Sequence, residues 1–312
     1  MNDLSKWMGM PLDASGHGAE IDIMMSWVHW LMILLFVIWA PFFIYCLWRF
    51  NAKRNPKASY TGVKSKLSSY LEGGVVVAEA VLLVGFAFPI WATIKNDFPA
   101  EEESTIVNVI AEQFAWNVIY AGDDGQFGQT TLTKPIEIDT SDPRGDDDVI
   151  ITNTLHLVKD KPVIVNLTSR DVIHSFALPN MRVKQDVIPG LEIPVWFVPK
   201  MSTSEFRREM AKTMPISGDQ RRRAQYPPYR WIAMQDYPTA DGSDMIAEEG
   251  QRLSTRVLTQ LYEAGITEVY AAPDMEISCA QLCGGAHYSM RGTIIVHDTQ
   301  EAFDAVLEEN RF

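Results

Sequence analysis

Two long apolar runs dominate the first third of the chain. Residues 24–48 contain no Asp, Glu, Lys or Arg, and residues 73–94 contain only Glu79. A helix crossing a bilayer needs about 20 predominantly apolar residues, and both runs reach that length. A single run of this kind is also compatible with a buried core helix; two in tandem predict a pair of membrane spans. The first run starts well inside the chain and lacks both a basic leader and an A-x-A-like cleavage site, so it does not read as a cleaved signal peptide. Pro41 and Pro89 fall within the runs, where neighbouring groups can satisfy the backbone that a proline frees. Residues 1–23, polar with Gly16 and Gly18, read as an irregular lead-in.

The pattern changes after an acidic linker at 97–103. Residues 105–120, 162–169, 192–199 and 291–297 are rich in β-branched and aromatic side chains and are separated by Gly, Asp and Pro. Short strands of this kind predict a β-sandwich or Greek-key barrel. Residues 123–128 and 140–148 read as loops, the second strongly acidic. A closing helix is expected from about Thr299, with Asp298 as cap, Glu301 three residues on, and Phe303, Val306 and Leu307 on one face. Residues 205–272 do not fit the strand pattern. They are charged, helical in period over 250–263, and hold Arg221, Arg222 and Arg223 as a basic cluster. They read as an insertion between two strands. The expected domains are therefore the lead-in 1–23, a transmembrane hairpin 24–95, and an outer β domain 96–312 carrying a partly helical insertion 205–272.

Charge orients the hairpin. The segment between the runs holds Arg49, Lys53, Arg54, Lys57, Lys64 and Lys66 against the single acid Glu72 at its end, which by the positive-inside rule places it in the cytoplasm and both flanks outside. The chain's net charge of −13 is unevenly spread: residues 1–94 carry +1 and residues 95–312 carry −14. An acidic outer domain excludes nucleic acid and an anionic membrane surface as partners. It serves solubility, or the electrostatic capture of a basic partner.

The candidate chemistry lies in the cysteines. Cys46, in the first apolar run, reads as a small buried hydrophobe. Cys279 and Cys283 stand in ISCAQLCGGAHYSMRGTII with His287 and Met290, spaced Cys-x3-Cys-x3-His-x2-Met. Outside the cytoplasm such a thiol pair oxidises to a disulfide unless something else holds it, but a disulfide leaves His287 and Met290 unexplained. Zinc is a competitor, although structural zinc sites favour four Cys/His ligands. Two thiolates, an imidazole and a thioether form a soft set that favours copper in an electron-transfer role. A binuclear site needs a second imidazole, for which His174 in DVIHSFALPNM is the candidate.

Together, DVIHSFALPNMRVKQDVIPG and CAQLCGGAHYSM resemble the two copper-binding segments of cytochrome c oxidase subunit II. The order of hairpin, QFAW segment, His segment and Cys loop is similar too, and the likeness covers both apolar spans and the outer domain, excluding 205–272. The resemblance implies a cupredoxin-like domain with a binuclear copper A centre. One copper would be held by His174 and Met290, the other by His287 and the backbone carbonyl of Gln281, with Cys279 and Cys283 bridging. It further implies electrons arriving from a c-type cytochrome, or from a haem c domain of another respiratory complex. They would leave for haem in subunit I, where oxygen is reduced to water with proton translocation; subunit III is a further expected partner. The expected location is a bacterial cell membrane, multi-pass, with the copper domain on the periplasmic side.

Several positions depart from the family or bear on its wider chemistry. Gln281 replaces a Glu whose side chain ligates an interface magnesium or manganese, which puts that metal in doubt while leaving the backbone carbonyl for copper. Phe114 occupies the position of a Trp that accepts electrons, so Phe114 and Trp116 are the candidates for electron transfer into the site. No Cys-x-x-Cys-His is present, so the donor haem is expected on another chain. Counting back from Pro89, Glu72 matches the family's Glu at the cytoplasmic mouth of the proton path named for its lysine; without the resemblance it reads equally as an interfacial carboxylate. Glu79 lies deeper, where an ionisable group costs about 2.5–3.5 kcal/mol, and is expected to face a partner subunit. Two rival readings remain: a quinol oxidase subunit II, which has lost the copper ligands, and a copper carrier, which has an exchangeable site and no hairpin.

Overall fold

The computed structural model describes residues 7–57, 60–61, 65–132, 135–139, 141–217, 231–239 and 242–311. It comprises two compact units, one of Met1–Leu12 with His17–Phe98 and one of Asp13–Gly16 with Pro99–Phe312. Lys64 and the Arg221, Arg222, Arg223 cluster lie outside the described residues.

The first unit is built on two helices, α1 (Gly18–Arg49) and α2 (Leu67–Asn96), of 32 and 30 residues. At about 1.5 Å per residue each exceeds the roughly 30 Å hydrocarbon core of a bilayer. Both extend beyond the apolar runs. At the start of α1 this brings in Glu20, and at its end Arg49, charges that suit the positive and negative ends of a helix dipole. Pro41 sits inside α1 without breaking it. In α2 the residues Leu83–Ala87 form a π turn, and Pro89 is the second residue of the α-helical segment that follows. A proline has no amide proton for the i→i−4 ladder, and the wider turn just ahead of it is where the ladder changes register. Large apolar side chains are exposed along both helices, among them Trp30, Phe36, Phe43 and Trp91. So much apolar surface suits lipid or another membrane subunit, not water. At the basic end of α1, Arg54 lies 3.9 Å from the ring centroid of Trp48, the pairing of cation and interfacial aromatic found at bilayer edges.

The second unit begins with strands β1 (Thr105–Glu112), β2 (Ala115–Tyr120), β3 (Thr130–Thr131), β4 (Glu137–Ile138), β5 (Val149–Thr152), β6 (Thr154–Val158), β7 (Val163–Ser169), β8 (His174–Leu178), β9 (Val183–Val187) and β10 (Ile193–Phe197). It continues through α3 (Thr203–Met210), β11 (Lys212–Pro215), β12 (Trp231–Ala233), β13 (Tyr237–Pro238), β14 (Met245–Ala247), α4 (Thr255–Glu263), β15 (Glu268–Pro273), β16 (Met275–Cys279), β17 (Arg291–His297) and α5 (Gln300–Glu309). One five-stranded sheet runs β10-β7-β1-β2-β5 and the other β6-β17-β16-β8-β9. The expected cupredoxin-like sandwich is thus present. Its core follows from the period of two along a strand. In β1, Val107 and Val109 point inward, opposite Val165 and Leu167 of the parallel strand β7, and all four are fully buried. The apolar run at 105–120 is a hairpin, turning at Gln113 and Phe114 with Glu112 opposite Ala115.

Two expectations are refined. The closing helix α5 is capped by Thr299, whose hydroxyl accepts from the Ala302 amide at 3.3 Å, and not by Asp298, which accepts from the Ser204 hydroxyl. Thr299 is the residue with extended backbone immediately before the helix, where a cap must stand. The insertion contains α3 and α4, but its centre is the sheet β11-β15-β12. It has its own apolar cluster, in which Val257 and Leu261 of α4 meet Met214, Ala233, Leu253 and Val269. From there β15 leads through Asp274 directly into β16, the strand that ends at Cys279.

Candidate metal centre

His174 opens β8, a strand buried at every position and lying between β16 and β9. Cys279 closes β16, opposite Phe176 of β8. From there the chain loops out and returns as β17, with Arg291 opposite Ser278. The neck of the loop is tied by Ala280 N to Ser175 O at 3.0 Å and by Cys279 N to Met290 O at 3.3 Å. The sandwich therefore delivers one imidazole from a rigid strand end and the other donors from a clamped loop.

The donors converge. The ligand atoms of His174, Cys279 and Cys283 lie within 4.8 Å of one another. Cys279 Sγ is 3.9 Å from His174 Nδ1, 3.8 Å from Cys283 Sγ and 3.2 Å from the Gln281 carbonyl oxygen. Cys283 Sγ is 3.5 Å from His287 Nδ1 and 3.8 Å from Met290 Sδ. Both cysteines are free, and their sulfurs stand far beyond a disulfide bond of about 2.05 Å. Two metal–thiolate bonds of about 2.3 Å each can nevertheless span such a gap, so this donor set would suit a metal held by both sulfurs. Burial opposes ionisation of Cys279, but hydrogen bonds from His174 and neighbouring backbone bring its thiol down to about 6. Burial and the adjoining Cys279 sulfur push Cys283 up to about 12. The two thiols are thus pushed in opposite directions, Cys279 toward the thiolate and Cys283 away from it.

The loop is braced from two sides. His174 Nε2 lies 2.9 Å from Asp171 Oδ1, which leaves Nδ1 facing Cys279. Burial works against the Asp171 carboxylate, yet His174 and the Gln113 and Val172 amides hold its pKa below the usual value. Gln113 joins the two halves, its backbone N–H donating to Asp171 Oδ2 at 2.8 Å and its side-chain amide to the Cys283 carbonyl. Gly284 fits beneath this bracket because it has no side chain. A Cβ there would lie 2.7 Å from Gln113 Nε2 and 3.0 Å from Phe114 Cζ, and its φ of +136° disfavours other residues.

The sequence matches the family described as cytochrome C oxidase subunit II, periplasmic domain, over residues 105–205. The alternative cytochrome c oxidase subunit 2 of Bradyrhizobium diazoefficiens is 32% identical over 201 residues, covering 62% of this chain and 70% of that protein. The chain belongs to the cytochrome c oxidase subunit II family. The cytochrome c oxidase subunit 2 of Cereibacter sphaeroides is 30% identical over 196 residues, with 54% of this chain and 62% of that protein covered. Among solved structures, the periplasmic domain of subunit II of cytochrome oxidase from Bradyrhizobium japonicum aligns at 18% identity over 68% of this chain and 96% of its own, with a TM-score of 0.34.

The family match over 105–205 takes in Gln113, Phe114, Trp116 and His174 and stops short of the Cys loop; for the loop it is the geometry that speaks. Phe114 is half-buried, its ring against Gly284. Trp116 is fully buried beneath the site, its ring edge-on to His174 at 6.2 Å and to Phe176 at 5.4 Å. It therefore stands behind His174, not on a face open to a partner. Glu72 and Glu79 are exposed on α2 in the isolated chain. Sequence reasoning missed Asp171 and gave Gln113 no role. The acid three residues before His174 was a visible signal for the first. Gln113 could not be read, because its partners lie 58 and 170 residues away.

Proposed function

We propose that this chain is the electron-accepting subunit of a haem–copper oxidase, holding a binuclear copper centre in its outer domain. The observation that carries this reading is the convergence of two thiols, two imidazole Nδ1 atoms, a thioether and one carbonyl at spacings of 3.2–3.9 Å. His174 and Met290 would hold one copper, His287 and the Gln281 carbonyl the other, with Cys279 and Cys283 shared. Bound there, a copper pair would supply a one-electron carrier whose charge is spread over two metals. The protein's part is to keep the ligands still. His174 and Met290 are fully buried, Asp171 fixes the His174 ring, and the β8–β16 pairing fixes the loop, so little has to move when charge changes. Gln281 offers an amide where the family's carboxylate would ligate magnesium, so no magnesium is assigned here.

In this reading the basic segment after α1 faces the cytoplasm and the outer domain faces the periplasm of a bacterial cell. Glu72 serves proton uptake beside subunit I, and subunit III completes the complex. The donor is a c-type cytochrome or a haem c domain of another complex, drawn in by the −14 charge of residues 95–312. It would rest on apolar side chains around the loop, where Leu282 and Tyr288 are each 77% exposed. Electrons would pass inward past Phe114, toward haem in subunit I.

Stopped-flow reduction of the assembled oxidase by a basic c-type cytochrome tests this. The second-order rate should fall as salt rises, since the Debye length shrinks to about 8 Å at physiological ionic strength. Phe114→Ala should slow electron transfer within the complex more than it weakens binding. A rate independent of salt would contradict the diffusing-donor reading and favour a permanently docked donor.

A further inference from the structure

Asn153 is the single residue between β5 and β6, where the chain leaves one sheet of the sandwich and enters the other. Its φ is +61°, in the small left-handed region that asparagine enters more readily than most residues. Turning there sends its two carbonyl groups to different sheets. The backbone carbonyl accepts from the Thr293 amide of β17 at 2.9 Å. On the other side, β5 ends with Thr152 opposite Asn117, so the next carbonyl of that ladder would be Asn153's own. The side chain takes its place: Asn153 Oδ1 accepts from Trp116 N at 2.9 Å, while Asn153 N donates to Trp116 O at 2.7 Å. One residue thus holds both polar backbone groups of Trp116.

What is held is the ring behind His174. Trp116 is fully buried and edge-on to both His174 and Phe176. Among the described residues its indole Nε1 is buried with no hydrogen-bond partner. A buried indole usually finds one. Without it, the ring is placed only by packing and by the backbone that carries it, so the bonds to Asn153 bear on how the ring supports the imidazole. The same residue reaches the return of the Cys loop. Thr293 follows Met290 by three residues. Gly292, just before Thr293, passes so close that a Cβ there would lie 2.7 Å from the Asn153 carbonyl oxygen, an approach that only glycine permits.

We propose that Asn153 is a positioning residue for the metal centre, fixing Trp116 behind His174 and tying it to the strand that returns from the Cys loop. This rests on the reading of His174 and Met290 as metal ligands given above. One half-buried residue joins the sheet that supplies the supporting ring to the sheet that supplies the ligands. The role asks for a left-handed backbone and a short side-chain acceptor at once. Asparagine and aspartate combine the two, whereas glycine offers the backbone alone.

Hydrogen exchange of the metal-free full chain in detergent, read by mass spectrometry, tests the hold on Trp116. Copper titration of the same proteins tests whether it reaches the ligands. Asn153→Gly keeps the left-handed turn and both backbone bonds and removes only the side-chain acceptor. Exchange in strand β2 should then quicken about tenfold relative to β7, the effect of leaving one buried donor unpaired. Copper binding should weaken about tenfold, the lower end of the loss that follows removal of support behind a ligand, and the paramagnetic resonance of the bound copper should change. Asn153→Asp, which keeps an acceptor at the same reach, should restore exchange, affinity and resonance toward the wild type. Equal quickening in β2 and β7 would reduce Asn153 to a general contributor to stability and overturn the proposal. So would selective quickening with copper affinity and resonance unchanged, or a loss of protection in Asn153→Asp equal to that in Asn153→Gly. A wild type that itself binds no copper would overturn the reading of the site, and this role with it, whatever the exchange shows.

Discussion

Replacing either Cys279 or Cys283 by serine is expected to abolish the delocalised mixed-valent signal of the copper-loaded chain. The two sulfurs have different neighbours: Cys279 lies against His174 and the Gln281 carbonyl, Cys283 against His287 and Met290. If both bridge, neither variant can keep a shared electron, whichever half of the site survives. A mononuclear site would behave asymmetrically, since it needs only one thiolate, and one variant would retain the full spectrum. Electron transfer from the donor should fall by more than the about 10–100-fold typical of losing an outer partner of a ligand. Visible absorption and paramagnetic resonance of the two variants, with circular dichroism to show that the sandwich is intact, make the comparison.

The second large effect is expected outside the ligand set. Asp171→Ala removes the acceptor that orients His174 and the acceptor of the Gln113 amide. Copper affinity should fall about 10–100-fold, the usual consequence of losing a carboxylate behind a ligating histidine. Loss of the hydrogen bond from the Gln113 backbone amide to the Asp171 carboxylate should cost about 1.5–3 kcal/mol of stability, seen as a lower melting temperature of the metal-free chain. Asp171→Asn, which keeps an acceptor but no charge, should fall between. Competition titration against a copper chelator measures the first effect and thermal melting the second. Affinity unchanged in Asp171→Ala would mean that strand β8 alone orients the imidazole.

Much of this was legible in the chain itself, for identifiable reasons. The membrane helices announce themselves because lipid demands about 20 apolar residues in a row. Strand β17 was read at the bounds it has, because 291–297 is a β-branched run with clear punctuation. The six candidate donors all come from two short segments, because the spacing of donor residue types along a loop is local information. The helix ends were less legible, since α1 takes in Glu20 and Asp22 before its apolar run. The sheet in the insertion was hidden because two of its strands are very short, β11 having four residues and β12 three, and neither is long enough to show a period of two. The bracket of Asp171, Gln113 and Gly284 depends on contacts between segments far apart in sequence, and no local pattern encodes those.

The central claim is that two thiolates, two imidazoles, a thioether and a carbonyl hold a pair of coppers. Copper and zinc content per chain, measured on the purified full-length protein together with its visible spectrum, tests it most directly. A copper pair per chain with a mixed-valent absorption that bleaches on reduction is the predicted result. A single copper, or zinc alone, in well-folded protein would contradict it.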